Sequence, residues 1–140
     1  MNFAYHYLCN DINNLKELVR TISVLLRNGG RFIFSFFDGE KIIKKARAGK
    51  ARIGPFVIQI NENNTALMPL PTIDSSGYRE EPLVLEQHLA LFINNPSFKL
   101  IEKYTPFSKI SKIPEFLKIQ DPCKVSEFLK YITVLVFEKV

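Results

Sequence analysis

The side chains in this sequence that could do chemistry are few and widely separated. His6 and Tyr7 stand together near the start, Glu80 and Glu81 form a carboxylate pair past the middle, and Tyr131 opens the last apolar run. A carboxylate accepts charge-assisted hydrogen bonds on both oxygens, an imidazole donates or accepts, and a phenol offers a flat face with a polar tip. From Lys41 to Arg52 the chain carries Lys41, Lys44, Lys45, Arg47, Lys50 and Arg52 with no acid among them. Such a run could meet an anionic partner, but on composition alone it reads first as a solvated helix face. Read singly, each residue has a plain explanation. Glu81, beside Glu80 in a polar stretch, reads as a surface carboxylate, His6 on an aromatic segment as a core histidine, and Tyr7 and Tyr131 as core tyrosines.

Other chemistries find no residues. Cys9 and Cys123 are the only cysteines, lie far apart and belong to no CxxC spacing, which reads as buried free thiols in a reducing compartment. With His6 and His88 the only histidines, a zinc ligand set is lacking and no metal is expected. The start lacks a basic, then apolar, then small-residue cleavage pattern, so secretion is not expected. The apolar runs Phe32 to Phe37 and Ile132 to Phe137 are too short to cross a bilayer. A chain of 140 residues that is 46% hydrophobic has the size and composition of one globular domain. Its net charge of +5 permits an anionic partner without requiring one.

The elements that must position these residues follow from periodicity. Ile12, Leu15, Leu18, Val19, Ile22, Leu25 and Leu26 recur at helical spacing, with Asp11 and Asn14 as possible caps, Glu17 in capping-box position, and Gly29-Gly30 as the stop. RFIFSFF reads as a buried strand, and Asp38-Gly39 as a turn into a short basic helix reaching about Ala48, with Asp38 more a helix cap than a ligand contact. This alternation suggests a piece of an open, mostly parallel sheet. Pro55 to Ile60 and Thr65 to Leu70 read as a hairpin around Asn61 to Asn64, and residues 69–77 as an irregular loop. Leu83 to Ile93 reads as helix, Phe98 to Tyr104 as strand, Phe107 to Leu129 as loop and helix broken at Pro114 and Pro122, and YITVLVFEK as a terminal strand. The abrupt aromatic opening, FAYHY, suits a fold whose first half is missing.

Three segments, in order, resemble the cellular and viral messenger-RNA cap guanine-N7 methyltransferases. NFAYHY, Asn2 to Tyr7, is similar to the family's QFALHY segment; LLRNGGRFIFSFFDGEKI, Leu25 to Ile42, resembles its helix end, Gly-Gly turn, fifth strand and following Asp or Asn. EPLV, Glu81 to Val84, resembles its EYLV segment, and YITVLVFEK its last strand. The register runs over nearly the whole chain, and the tone is closest to the capping enzymes of large DNA viruses. Each motif alone is weak. The HY pair, the DG turn, the glutamate and the tyrosine-led last strand are specific jointly. The chain departs at Asn2, where glutamine is usual, and at Phe37, where cellular members often have proline; no GxGxG occurs, and Gly29-Gly30 follows a helix, not a strand.

The resemblance implies an α/β fold: the C-terminal portion of a class I (Rossmann-like) S-adenosylmethionine-dependent methyltransferase, without its N-terminal cofactor half. Residues 1–50 would end the cofactor-side core and 51–140 would carry the cap-guanine part and last strands, in a single partial domain. The implied reaction moves a methyl group from S-adenosylmethionine to N7 of the 5′ cap guanine. N7 has a lone pair and no proton, so no catalytic side chain is required, only proximity and orientation. The implied guanine contacts are Glu81 (or Glu80 in the neighbouring register) on the N1 and N2 donors, His6 on O6, and Tyr7 and Tyr131 as stacking faces. Phe3 and Asn2 would face the cofactor, and Lys41, Lys44, Lys45 and Arg47 the phosphates or RNA body. Implied partners are the capped mRNA 5′ end, the upstream half of the domain, and guanylyltransferase and triphosphatase domains or a stimulatory subunit. The implied compartment is a cytoplasmic viral factory for a viral protein and the nucleus for a cellular one. By itself the chain is expected to be inactive. The alternatives are a catalytically inactive cap- or partner-binding module derived from such an enzyme, and a scaffold without a ligand.

Overall fold

A computed structural model describes residues 5–69, 77–114 and 125–140, with residues 69, 125 and 126 described by backbone alone. In chain order these form a 3₁₀ segment η1 (Tyr5–Asn10), α1 (Ile12–Leu25), β1 (Arg31–Phe37), α2 (Gly39–Lys45), β2 (Lys50–Ile53), β3 (Phe56–Ile60), β4 (Thr65–Pro69) and β5 (Tyr78–Pro82). Then come α3 (Glu86–Ile93), β6 (Phe98–Tyr104), α4 (Pro106–Ile110), a second 3₁₀ segment η2 (Val125–Tyr131) and β7 (Ile132–Lys139).

Leu15 and Val19, one turn apart, form the buried stripe of α1. Asp11 caps the helix by accepting the Asn13 N–H at 2.8 Å. Glu17 closes no capping box with Asn14; it lies inside the helix and pairs forward with Arg20 at 2.8 Å. After α1 the chain turns through Gly29 at φ +75°, a left-handed conformation that favours glycine. The strand β1 follows, as its aromatic and β-branched composition requires.

The strands form two sheets, in the orders β1-β7-β6 and β2-β3-β4-β5. Every ladder in both is antiparallel, which corrects the expectation of a mostly parallel sheet for the described residues. The reason lies in β7, the terminal strand, which inserts between β1 and β6 and runs against both. Beyond α2 the chain builds a meander of hairpins, which pairs antiparallel by construction. The one parallel contact among the described residues is the bridge between Asp38 and Val84.

Several sequence expectations need adjustment. The basic helix ends at Lys45 because Ala46 is extended, and Ala48 (φ 50°) with Gly49 (φ 73°) turns the chain into β2. Inside the basic run, β2 alternates exposed Lys50 and Arg52 with buried Ala51 and Ile53. The mostly polar YREEP forms β5 as an edge strand, and α3 starts at Glu86, since Leu83 to Leu85 run extended. Residues 115–124, which hold Pro122 and Cys123, lie outside the description, as do residues 1–4 and 70–76.

Two apolar clusters fill the interior. Tyr5, Phe34, Phe36, Phe92, Phe98 and Phe137 form the aromatic part of the first, with α1 and α3 laid against it. Phe34 is in ring contact with Tyr5, Phe32, Phe36, Phe92 and Phe137. Ile42, Ala51, Ile53, Ile58, Ala66, Met68, Leu83 and Leu85 form the second. The extended segment after β5 joins them: Val84 belongs to the first cluster, Leu83 and Leu85 to the second. Gly39 packs so tightly there that a Cβ would lie 2.6 Å from the Val84 carbonyl oxygen. No helix among the described residues is long and apolar enough to cross a membrane.

Candidate functional site

Alternation along β5 separates the two neighbouring carboxylates. Opposite β4, Glu81 pairs with Ala66 and Arg79 with Met68, which puts Glu81 on the face that Ala66 and Met68 bury. Glu80 turns to the other face, where its Oε1 accepts hydrogen bonds from the Thr65 hydroxyl and from Asn61 Nδ2 at 3.0 Å. Those bonds hold the Glu80 carboxyl below the usual carboxylate range.

Glu81 is 5% exposed, and a buried carboxylate needs partners. It finds them on η1: Oε2 lies 2.9 Å from His6 Nε2, and Oε1 accepts from the Tyr7 hydroxyl at 3.4 Å. The His6 and Tyr7 rings lie 4.0 Å apart at 39°, and Tyr7 is 57% exposed. A carboxylate offers about four lone-pair positions. With two taken, one on each oxygen, Glu81 can still accept a second bond on each. The arrangement is a buried acceptor pair beside a largely exposed aromatic face, whose chemistry matches a flat ligand with two adjacent N–H donors.

Tyr5 fixes η1 in this position. Its ring is fully buried and stacks on Phe34 at 4.8 Å, and its hydroxyl donates to the His88 carbonyl at 2.8 Å. Burial drives the Tyr5 phenol well above its ordinary range. His88 is buried as well; its Nδ1 accepts the Leu85 N–H at 3.0 Å at the start of α3. Burial pushes the His88 imidazole below its ordinary 6.5. From the sequence neither residue was assigned a role at the site. His88 is the third residue of α3, three after the N-cap Leu85, where a side chain can reach back to the N-cap amide; an expected helix start at Leu83 hid that position.

The remaining predicted residues scatter. Tyr131 packs against the second cluster and gives its carbonyl to the Asp38 N–H at 2.8 Å; among the described residues no hydrogen bond or ring stacking joins it to Glu81, His6 or Tyr7. Asp38 acts as a cap, accepting the Lys41 N–H at 3.3 Å and the Thr133 hydroxyl at 2.8 Å. Lys41 Nζ donates to Thr133 Oγ1 at 3.2 Å and lies 3.9 Å from Asp38 Oδ2. Burial lowers the Lys41 ammonium, Asp38 opposes the shift and Lys103 adds to it. Lys44 and Lys45 are exposed, and the Arg47 guanidinium is turned onto the Ala46 carbonyl at 2.9 Å. Asn2 and Phe3 lie outside the described residues. No group of three or more His, Cys, Asp and Glu among the described residues is placed to hold a metal. Cys9 is a free thiol that burial pushes up to about 12.

No protein-family model matches this chain, and no curated protein matches it. Among solved structures, it is similar to an S-adenosylmethionine-dependent methyltransferase from Clostridium acetobutylicum ATCC 824, with a TM-score of 0.50 and 12% identity. That likeness covers 97% of this chain and 55% of the other, so this chain spans about half its length. At that identity the likeness shows the fold alone: this α/β chain is folded like the part of that structure it covers.

Proposed function

We propose that this chain is the guanine-gripping half of a messenger-RNA cap guanine-N7 methyltransferase, a reading that joins the sequence resemblance to the methyltransferase fold. One observation carries it: the buried Glu81 carboxylate lies against His6 and Tyr7, the residues the resemblance assigns to the guanine. Glu81 accepts the guanine N1–H and N2 amino group as a charge-assisted pair. His6 turns its ring N–H to O6, and Tyr7 stacks on the purine, which contributes about 1–3 kcal/mol. N7 lies across the ring from the Glu81 contacts, beside O6, and takes none of these bonds. Because it carries no proton, the residues need only orient the ring and exclude water. Of the basic residues, Lys41 is the best anchored for cap phosphates, since Thr133 holds its ammonium; Lys44, Lys45 and Arg47 contribute long-range attraction to the RNA.

S-adenosylmethionine would supply the methyl group. Its fit to the described residues is poor: none forms a strand running into a glycine-rich turn, and Gly29 lies in the turn after α1, which already ends at Leu25 with Leu26 as its cap instead of the expected glycine stop. No step through it is therefore assigned to these side chains, and the chain by itself has no activity on this reading. A cap- or partner-binding module without catalysis is the second reading. It is supported by the same contrast: a carboxylate set against His6 and Tyr7, and no GxGxG-type turn in the sequence.

The test is a calorimetric titration of the 140-residue chain with GpppG and with ApppA, each with and without S-adenosylmethionine. Adenine lacks the N1–H and the N2 amino group, so the guanine dinucleotide should bind tighter by about 1–3 kcal/mol, as for other bidentate base contacts. Equal affinity for both would end the proposal. Guanine selectivity untouched by S-adenosylmethionine would favour the module.

A further inference from the structure

We propose that Tyr5 is a positioning residue for this site: its buried hydroxyl locks η1 to the start of α3 and so sets His6 and Tyr7 against Glu81. The inference deepens the proposed function and rests on it for the identity of the ligand, though the lock itself can be measured without any ligand.

Two short segments, 5–7 and 81–88, are fastened to each other twice. At the surface, His6 and Tyr7 meet Glu81. In the core, Tyr5 meets the His88 carbonyl, 83 residues away in sequence, at 2.8 Å. The surface contact is compromised when a ligand arrives, because the same carboxylate must also accept the ligand's donors and His6 must reorient. The core contact involves no atom the ligand touches. It therefore keeps the two walls at a fixed separation while the surface bonds rearrange, and a wall already in place loses less freedom on binding.

The acceptor is itself held. His88 Nδ1 takes the Leu85 N–H at 3.0 Å, tying down the turn that presents the His88 carbonyl. Between Glu81 and that turn the chain is packed into both clusters through Leu83, Val84 and Leu85. The path from the Tyr5 hydroxyl to the Glu81 carboxylate thus runs through buried His88, Leu85, Val84 and Leu83, with half-buried Pro82 next to Glu81. A hydroxyl is also a costly group at a fully buried position unless it is bonded. In QFALHY, the segment that NFAYHY resembles, leucine stands where this chain has Tyr5. A leucine would fill the core with no such bond.

The test compares wild type, Tyr5→Phe, Tyr5→Leu and Phe98→Leu. Phe98 belongs to the same aromatic cluster but makes no ring contact with Tyr5. Two quantities are read: hydrogen–deuterium exchange over residues 5–10 in the free chain, and GpppG affinity. Tyr5→Phe should raise exchange in that segment about tenfold and weaken GpppG binding about five- to tenfold, the effect of one buried hydrogen bond. Tyr5→Leu should do at least as much. Phe98→Leu should lower the melting temperature while leaving both readouts within twofold of wild type. Unchanged exchange in Tyr5→Phe overturns the lock. Raised exchange with unchanged GpppG affinity overturns the positioning role. If wild type does not bind GpppG at all, the proposed function fails, and with it the role in guanine binding, whereas the exchange result still decides the lock.

Discussion

Replacing Glu81 by glutamine probes the site most directly, because the change is nearly isosteric. Glu81 Oε2 lies 2.9 Å from His6 Nε2 and Oε1 lies 3.4 Å from the Tyr7 hydroxyl. A glutamine keeps one acceptor oxygen for one of these partners and replaces the other oxygen with an NH₂. In the proposed guanine complex that NH₂ faces one of the base's N–H donors, so one bond is lost and a donor–donor conflict takes its place. Hydrogen bonds to a charged group contribute about 1.5–3 kcal/mol. The site is 5% exposed, so water relieves little of the conflict. The expected loss is thus about 2–3 kcal/mol, or roughly 30- to 150-fold in the GpppG dissociation constant. Calorimetric titration would measure it, with near-ultraviolet circular dichroism to verify that the fold is kept. Glu81→Ala should lose at least as much. A loss under about 0.5 kcal/mol, close to twofold, would refute the assignment of the carboxylate to the base.

Glu80→Ala is the matched control: Glu80 bonds Thr65 and Asn61 on the opposite face, so GpppG affinity should stay within twofold of wild type in the same titration. His88 gives the folded chain a pH dependence. Its imidazole is pushed below 6.5, so the unfolded chain takes up a proton that the folded chain resists. Its contribution is therefore complete above about pH 6.5 and is lost as the pH falls from there through the folded value. Urea melts between pH 7.5 and 5 should show that decline, and His88→Gln, which can still reach the Leu85 N–H, should flatten part of it. Cys9, pushed up to about 12 from an ordinary 9.0, should hold on the order of a thousandfold less thiolate than in the unfolded chain. Peptide-resolved alkylation by iodoacetamide at pH 8 should show Cys9 protected in native protein and released in urea. Phe34→Ala, removing a ring that touches five others, should destabilise the chain by about 3–5 kcal/mol in the same melts.

Much of the local structure could be read directly from the residues. The apolar spacing of Leu15 and Val19, the cap at Asp11, the strand RFIFSFF, the cap at Asp38 and the hairpin around Asn61 to Asn64 all depend on near neighbours, and short-range preferences decide them. Two strands escaped. In β2 the alternation lasts four residues within a basic run, and β5 is a mostly polar edge strand whose one buried residue is a glutamate. Propensity and hydrophobic pattern carry no signal for a strand of that kind.

The amino-acid sequence alone determined which groups could take part: one histidine-tyrosine pair, two adjacent carboxylates, a basic run, and no metal-ligand set. Which carboxylate faces the pair was a tertiary decision. Neighbouring residues on a strand point to opposite faces, so the register of β5 on β4 sends Glu81 inward and Glu80 outward. Tertiary structure likewise brought η1 to β5 across more than seventy residues and left Tyr131 packed in the second cluster. Contacts of that span form only when the aromatic core closes, because the entropy of bringing distant segments together is recovered by burying Tyr5 and its neighbours and by no local preference.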